Sequence, residues 1–122
     1  MTNLLELYRC EICGNIVQVM QNGNGELVCC GKPMALLSPH NISEEKQEKH
    51  VPVIDGDKIK IGSEPHPMIN EHYIQFIQAM SEDKKEIITK FLSPDQTPEM
   101  HTDTSKYHKA IEYCNIHGLW TN

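Results

Sequence analysis

Four of the chain's five cysteines fall in its first thirty residues, in two pairs that each run into a glycine: Cys10-Glu-Ile-Cys13-Gly14 and Cys29-Cys30-Gly31. No other feature constrains the fold as strongly. Two thiolates separated by two residues can grip one metal ion, and the following glycine relieves the tight turn. With the second pair added, four soft thiolates on two short turns make a tetrahedral site for zinc or iron, with no position left open for a substrate. The second pair is adjacent, where a zinc ribbon would place a second Cys-x-x-Cys. Neighbouring side chains tend to point apart, so the pair is expected to distort the tetrahedron. Spacing alone chooses neither zinc over iron nor a structural staple over an electron-transfer centre. A module of under ~40 residues does not fold on its own hydrophobic core and usually needs a metal, disulfides or a partner chain.

The chain has 122 residues, room for that module and one compact domain. Residues 1–37 read as the cysteine module and 38–122 as the second domain. The polar stretch "SPHNISEEKQEK" (38–49) connects them. A net charge of −6 argues against a general nucleic-acid or anionic-membrane surface. The first ten residues carry Glu6 and lack a basic segment followed by an apolar one, so no signal peptide is expected. No apolar run approaches the ~20 residues of a membrane span. The expected setting is the cytoplasm. There, five thiols, an odd number, point to metal binding or catalysis rather than to a disulfide framework.

Beyond residue 50 the pattern is of short strands. "VPVI" (51–54) and "KIKIG" (58–62) flank Asp55-Gly56, a hairpin signal. "HYIQFIQAM" (72–80) puts His72, Ile74 and Phe76 on one face if extended; apolar residues at 73, 74, 77 and 80 also permit a helix, but length and alternation favour a strand. "EIITKFL" (86–92) follows the turn "SEDKK", and "KAIEYC" (109–114) alternates again. "SPDQTPEMHTDTS" (93–105), with two prolines, reads as a long loop. Together these predict a mostly β chain whose second domain is a small β-sandwich.

The fifth cysteine stands in "EYCNIHGLW", with Cys114 three residues before His117. Of the seven histidines, three more have informative settings. His50 enters a predicted strand in "EKHVPV". His66 lies between two prolines in "EPHPM", which hold the backbone extended. His72 opens "HYIQFI". Four imidazoles and a thiolate suit iron, zinc or copper. The set exceeds what tetrahedral zinc needs, and five donors suggest a square pyramid with a sixth position open.

The segments "CEICGNIV", "CCGKPM", "EKHVPVI", "GSEPHPMINEHYI" and "CNIHGLW" occur in an order that resembles the desulfoferrodoxin family, the two-iron superoxide reductases, over essentially the whole chain. The resemblance implies a desulforedoxin-like module with a rubredoxin-like Fe(Cys)4 centre at Cys10, Cys13, Cys29 and Cys30, with zinc as an alternative occupant. It implies an immunoglobulin-like β-sandwich carrying a mononuclear iron, with His50, His66, His72 and His117 equatorial and Cys114 axial. Glu48 and Lys49 match a mobile glutamate that can take the sixth position of the oxidised iron and a lysine near the open site of the reduced form. The expected reaction is superoxide plus one electron and two protons, giving hydrogen peroxide. The expected partners are a rubredoxin-type donor and a second copy of the chain. Residues 93–108, with His101 and His108, match nothing in the family pattern, and His40 too is left without a role. Two other readings are a non-enzymatic iron-binding electron carrier and a superoxide dismutase.

Overall fold

A computed structural model describes residues 1–41 and 47–122, with Gln47 and Glu48 described by their backbone alone. The chain divides into two compact units, Met1–Ser38 and Pro39–Asn122.

In the first unit, β1 (Leu7–Arg9) is the middle strand of a sheet ordered β2-β1-β5, with β2 (Ile16–Gln18) and β5 (Ala35–Leu36) antiparallel on either side. Between them β3 (Val28–Cys29) and β4 (Lys32–Pro33) form a separate hairpin, with Cys29 opposite Lys32. The buried apolar side chains of this unit are Leu7, Cys10 and Val19. That is too small a core to hold 38 residues, as the length argument anticipates.

The second unit opens with a short helix, α1 (Gln47–His50), and continues as β6 (Pro52–Asp55), β7 (Lys58–Ile61), β8 (Ile74–Ser81), β9 (Ile87–Phe91), β10 (Glu99–His101), β11 (Tyr107–Cys114) and β12 (Gly118–Thr121). The strands form two sheets, ordered β10-β7-β6 and β12-β11-β8-β9. Ile59 and Ile61 of β7 share one buried cluster with Ile74, Ile77 and Ala79 of β8, Ala110 and Cys114 of β11, and Met100 of β10. Ile59, Ile74 and Ile77 are wholly buried, each stabilising the sandwich by about 1.5–3 kcal/mol. Cys114 is thus both a core residue and the end of a strand.

The expected β6–β7 hairpin forms with its turn one residue later, at Gly56-Asp57. Asp55 pairs with Lys58, and Gly56 takes a φ of 62°, which glycine adopts without strain. The strand reading of 72–80 holds from Ile74 onward, with His72 standing before the strand in a bridge to Ile69, and its register needs one correction. Ile74 pairs with Cys114 and Phe76 with Tyr113, so the register slips at Gln75 and the two side chains lie on opposite faces. Ile74 enters the core, whereas Phe76 stacks on Tyr113. Such a bulge is not legible in simple alternation. A second correction concerns 93–105. This is not all loop, because Glu99–His101 pairs with Lys58–Lys60 as an edge strand. Its one apolar residue, Met100, faces inward, too short a signal to stand out between prolines. Nor is 38–49 only a linker. His40 bridges to Trp120 and residues 47–50 are helical, whereas 42–46 lie outside the described residues.

Candidate metal centres

In the first unit the Sγ atoms of Cys10, Cys13, Cys29 and Cys30 all lie within 4.8 Å of one another. The Cys10–Gly14 knuckle closes on backbone hydrogen bonds. Gly14 N donates to Cys10 O at 2.9 Å, and Cys13 N donates to Cys10 Sγ at 3.4 Å. Amide donation from Cys13 and Ile12 lowers the Cys10 pKa to about 6. The adjacent pair converges by a turn. Cys30 and Gly31 are the two central residues of the β3–β4 hairpin, both at positive φ, 54° and 75°. This is the primed two-residue turn that suits a twisted hairpin, and it brings the Sγ atoms of Cys29 and Cys30 to 4.0 Å. The crowding has an electrostatic cost. The neighbouring thiols, Cys13 foremost, raise Cys29 and push Cys30 up to about 12. Four thiolates so close need a cation among them, and binding one releases the protons held there.

The second centre is assembled from distant parts of the sandwich. His50 ends α1 at the entry to β6 and is 1% exposed. His66 stands on the Pro-flanked loop. His72 lies in a tight bridge, exchanging N–H···O bonds with Ile69 at 3.1 Å each way. Cys114 and His117 flank the β11–β12 turn. The four imidazoles close a ring. The centroid separations are 4.6 Å for His50–His66, 4.8 Å for His66–His72, 5.0 Å for His72–His117 and 4.8 Å for His117–His50, each pair edge-on at 65–78°. Donor atoms of His50, His66, His117 and Cys114 lie mutually within 4.8 Å; His72 closes the ring but stands outside that tighter group.

The nitrogens that face inward are identifiable. His66 Nδ1–H donates to Pro67 O at 2.7 Å, leaving Nε2 with its lone pair. His66 Nε2 and His72 Nε2 are both buried without a hydrogen-bond partner. Orphaned polar atoms of this kind call for a missing partner, and a cation fits both. His50 Nε2 lies 3.1 Å from His117 Nδ1, which is also 3.8 Å from Cys114 Sγ. The cluster therefore presents Nε2 from three rings and Nδ1 from His117. Burial raises the Cys114 pKa, and the His117 and Ile116 amides partly counter it, with His117 N donating to Sγ at 3.4 Å. The donor set, imidazoles and one soft thiolate, fits iron.

Three supporting residues escaped the sequence reading. Glu112, 0% exposed, accepts from His50 Nδ1 at 3.2 Å through Oε2, while its Oε1 has no partner and burial pushes its pKa well up. Its signal was positional, since alternation along β11 puts it on the Cys114 face. Asn115 Oδ1 accepts from Tyr73 N at 2.9 Å and its Nδ2 donates to Glu71 O at 3.0 Å, so it grips the main chain on both sides of His72. Trp120 stacks on His50. Both Asn115 and Trp120 sit inside the "CNIHGLW" motif, but nothing there said what they hold. Outer-shell partners orient ligands and are worth about 10–100-fold in metal affinity. Glu112→Ala is therefore expected to lose metal from the second centre about 10–100-fold more readily in a chelator challenge, with the tetrathiolate centre unchanged. Equal retention would show that His50 is held without it.

Burial also lowers His66 from 6.5 to about 4. Between those values an unfolded chain takes up the proton that the folded chain refuses. Stability from this group is therefore complete above about pH 6.5 and is lost as the pH falls through about 4. In the iron-free protein the His66 ring is expected to titrate near pH 4 by NMR. A midpoint near the ordinary value would contradict its burial.

Of the other expected site residues, Lys49 is exposed and its charge is among those that depress His66. The Glu48 side chain lies outside the described residues. His101 pairs with Glu99 at 2.9 Å and His108 with Glu82 at 3.9 Å, both exposed and away from the ring.

The two clusters together define a metalloprotein with a closed tetrathiolate site and a separate, mostly imidazole site with one thiolate. Comparison with known proteins gives the lineage. Residues 2–37 match the desulfoferrodoxin N-terminal domain and residues 42–122 match the desulfoferrodoxin domain. Desulfoferrodoxin from Desulfarculus baarsii is 48% identical over 98% of this chain and 97% of its own length. Superoxide reductase from Thermococcus kodakarensis is 37% identical, covering 63% of this chain and 86% of its own. The crystal structure of the superoxide reductase from Treponema pallidum superimposes with a TM-score of 0.75 at 26% identity, covering 100% of this chain and 99% of that one. The chain belongs to the desulfoferrodoxin family, and its two clusters fit that family's iron centres.

Proposed function

We propose that the chain is a superoxide reductase, joining superoxide, one electron and two protons into hydrogen peroxide. The observation that carries this reading is the buried Cys114 thiol set against a closed ring of four imidazoles, two of which present unpartnered Nε2 atoms. His50, His66, His72, His117 and Cys114 would hold iron, which would supply one-electron ferrous/ferric chemistry there. A five-donor set would leave room for a substrate at the ion, which a four-thiolate cluster would not.

The chain's own residues handle charge and protons. A divalent ion and one thiolate leave a net positive charge at the centre, and the Lys49 ammonium adds another. This draws an anion locally although the whole chain is acidic. Such steering acts over ~8–10 Å at ordinary ionic strength. Lys49 also organises the water that delivers protons to the departing peroxide. The family resemblance supports Glu48 as a carboxylate that would bind the oxidised iron. Lys49→Ala is expected to slow the second-order encounter with superoxide by about threefold to tenfold and to flatten its salt dependence. An unchanged rate at low salt removes the steering role. Glu48→Ala is expected to change the ferric absorption and leave that first encounter nearly intact.

Family resemblance supports a rubredoxin-type electron donor, a homodimer and a cytoplasmic setting. No helix among the described residues is long and apolar enough to cross a membrane. The test of function is peroxide formed per superoxide consumed with superoxide in excess over the protein and a reductant present to restore the reduced state. One peroxide per superoxide is expected. Half that yield means dismutation, and no protein-dependent consumption with iron bound means a carrier.

A further inference from the structure

Trp120 is the chain's single tryptophan, and it touches two of the four ligand histidines in different ways. Its ring lies almost parallel to that of His50, with centroids 4.7 Å apart and 12° between planes. Its Nε1–H donates to the His117 carbonyl at 3.1 Å. Trp120 is itself 3% exposed and held from both sides. On β12 it pairs with Glu112 of β11, the residue that receives His50 Nδ1. On the other side the His40 backbone bridges to it, donating to Leu119 O at 2.8 Å and accepting from Thr121 N at 2.9 Å. The His40 ring rests 4.9 Å from the indole, tilted by 42°.

His50 is therefore constrained twice. Glu112 holds the Nδ1 edge, which fixes the tautomer, but a hydrogen bond at that edge does not by itself set the plane of the ring. The terminal torsion of a histidine is broad and imposes no plane of its own. A parallel indole face removes that freedom, and aromatic pairs favour such stacked geometry. The His117 carbonyl bond holds the second ligand's main chain from the same indole. We propose that Trp120 is a positioning residue of the mononuclear centre. Its face sets the plane of the His50 ring, its N–H sets the His117 main chain, and His40 backs it. The proposal rests on reading the His/Cys cluster as a metal centre, not on superoxide being the substrate.

The test uses the full chain with its tetrathiolate site filled by one equivalent of zinc, and cobalt(II) titrated into the second cluster. In the native chain, Trp120 emission is expected to be quenched in step with cobalt occupancy, because the ion sits on the ring against which the indole is stacked. Unchanged emission at saturation overturns the stack. This readout needs no variant, so it decides even where a substitution fails to fold. W120L is expected to bind cobalt about 10–100-fold more weakly, the range for outer-shell changes, with altered cobalt absorption bands. W120F keeps a ring but no N–H, and is expected to restore affinity to within a few-fold. A folded W120L with native cobalt affinity and bands reduces Trp120 to core filling and overturns the proposal. Equal losses in W120L and W120F overturn the stack as the positioning contact. None of these readouts involves superoxide, so a chain that passes them yet forms no peroxide refutes the reductase reading alone.

Discussion

Cys114→Ser is expected to reduce single-turnover peroxide formation by more than the ~10–100-fold that outer-shell changes cost, while the absorption of the tetrathiolate centre persists. Cys114 is 0% exposed, and burial raises its thiol pKa against the partial opposition of the Ile116 amide and the His117 amide, which donates to Sγ, so a bound cation is what would hold the anion on its sulfur. Serine gives those amides a neutral hydroxyl at neutral pH, so the one anionic donor of the cluster is lost. The hydroxyl is also harder than the thiolate it replaces and suits the soft side of the donor set poorly. The measurement is peroxide per superoxide with the pre-reduced variant, read beside its thermal midpoint so that loss of fold is not mistaken for loss of chemistry. A folded, iron-loaded variant with the native yield would sink the role given to the thiolate.

Cys10→Ser is expected to unfold the first unit and spare the second. Leu7 and Val19 are the other buried apolar side chains there. At about 1.5–3 kcal/mol each, they cannot order Met1–Ser38 against a backbone cost of about 1–2 kcal/mol per residue. Structural metal binding supplies about 10–16 kcal/mol in comparable small modules. Of the four thiols, Cys10 is the one buried at 3%, with its thiolate stabilised by amides, so its loss should be the hardest to replace. Limited proteolysis is expected to cut within residues 1–38 of the variant, while the second centre keeps its iron and its single-turnover yield. A protected first unit without metal would show a core that side-chain burial does not reveal. A native first turnover with slow later ones would assign the tetrathiolate centre to electron delivery as well.

Much of this protein was determined by the sequence itself. The two Cys/Gly pairs specify one metal site because their ligands are neighbours in the chain, and local turns suffice to bring them together. Cys114 and His117 are legible for the same reason, as is the β-rich character of residues 51–122, which short alternating runs between turn residues encode. Tertiary structure decided the rest. His50, His66 and His72 sit on a helix end, a proline-flanked loop and a bridge, and they gather around Cys114 through the pairing of β11 with β8 and β12 and through the contacts of His50 with Glu112 and Trp120. The slip at Gln75, which puts Ile74 in the core cluster and Phe76 on the opposite face, depends on the partner strand and leaves no mark in the alternation. Glu112, Asn115 and Trp120 look in sequence like a strand carboxylate, a turn amide and a core aromatic. What each one holds is set across strands and loops, because a hydrogen bond or a ring stack is a property of two residues in space, and residue order supplies only one of them at a time.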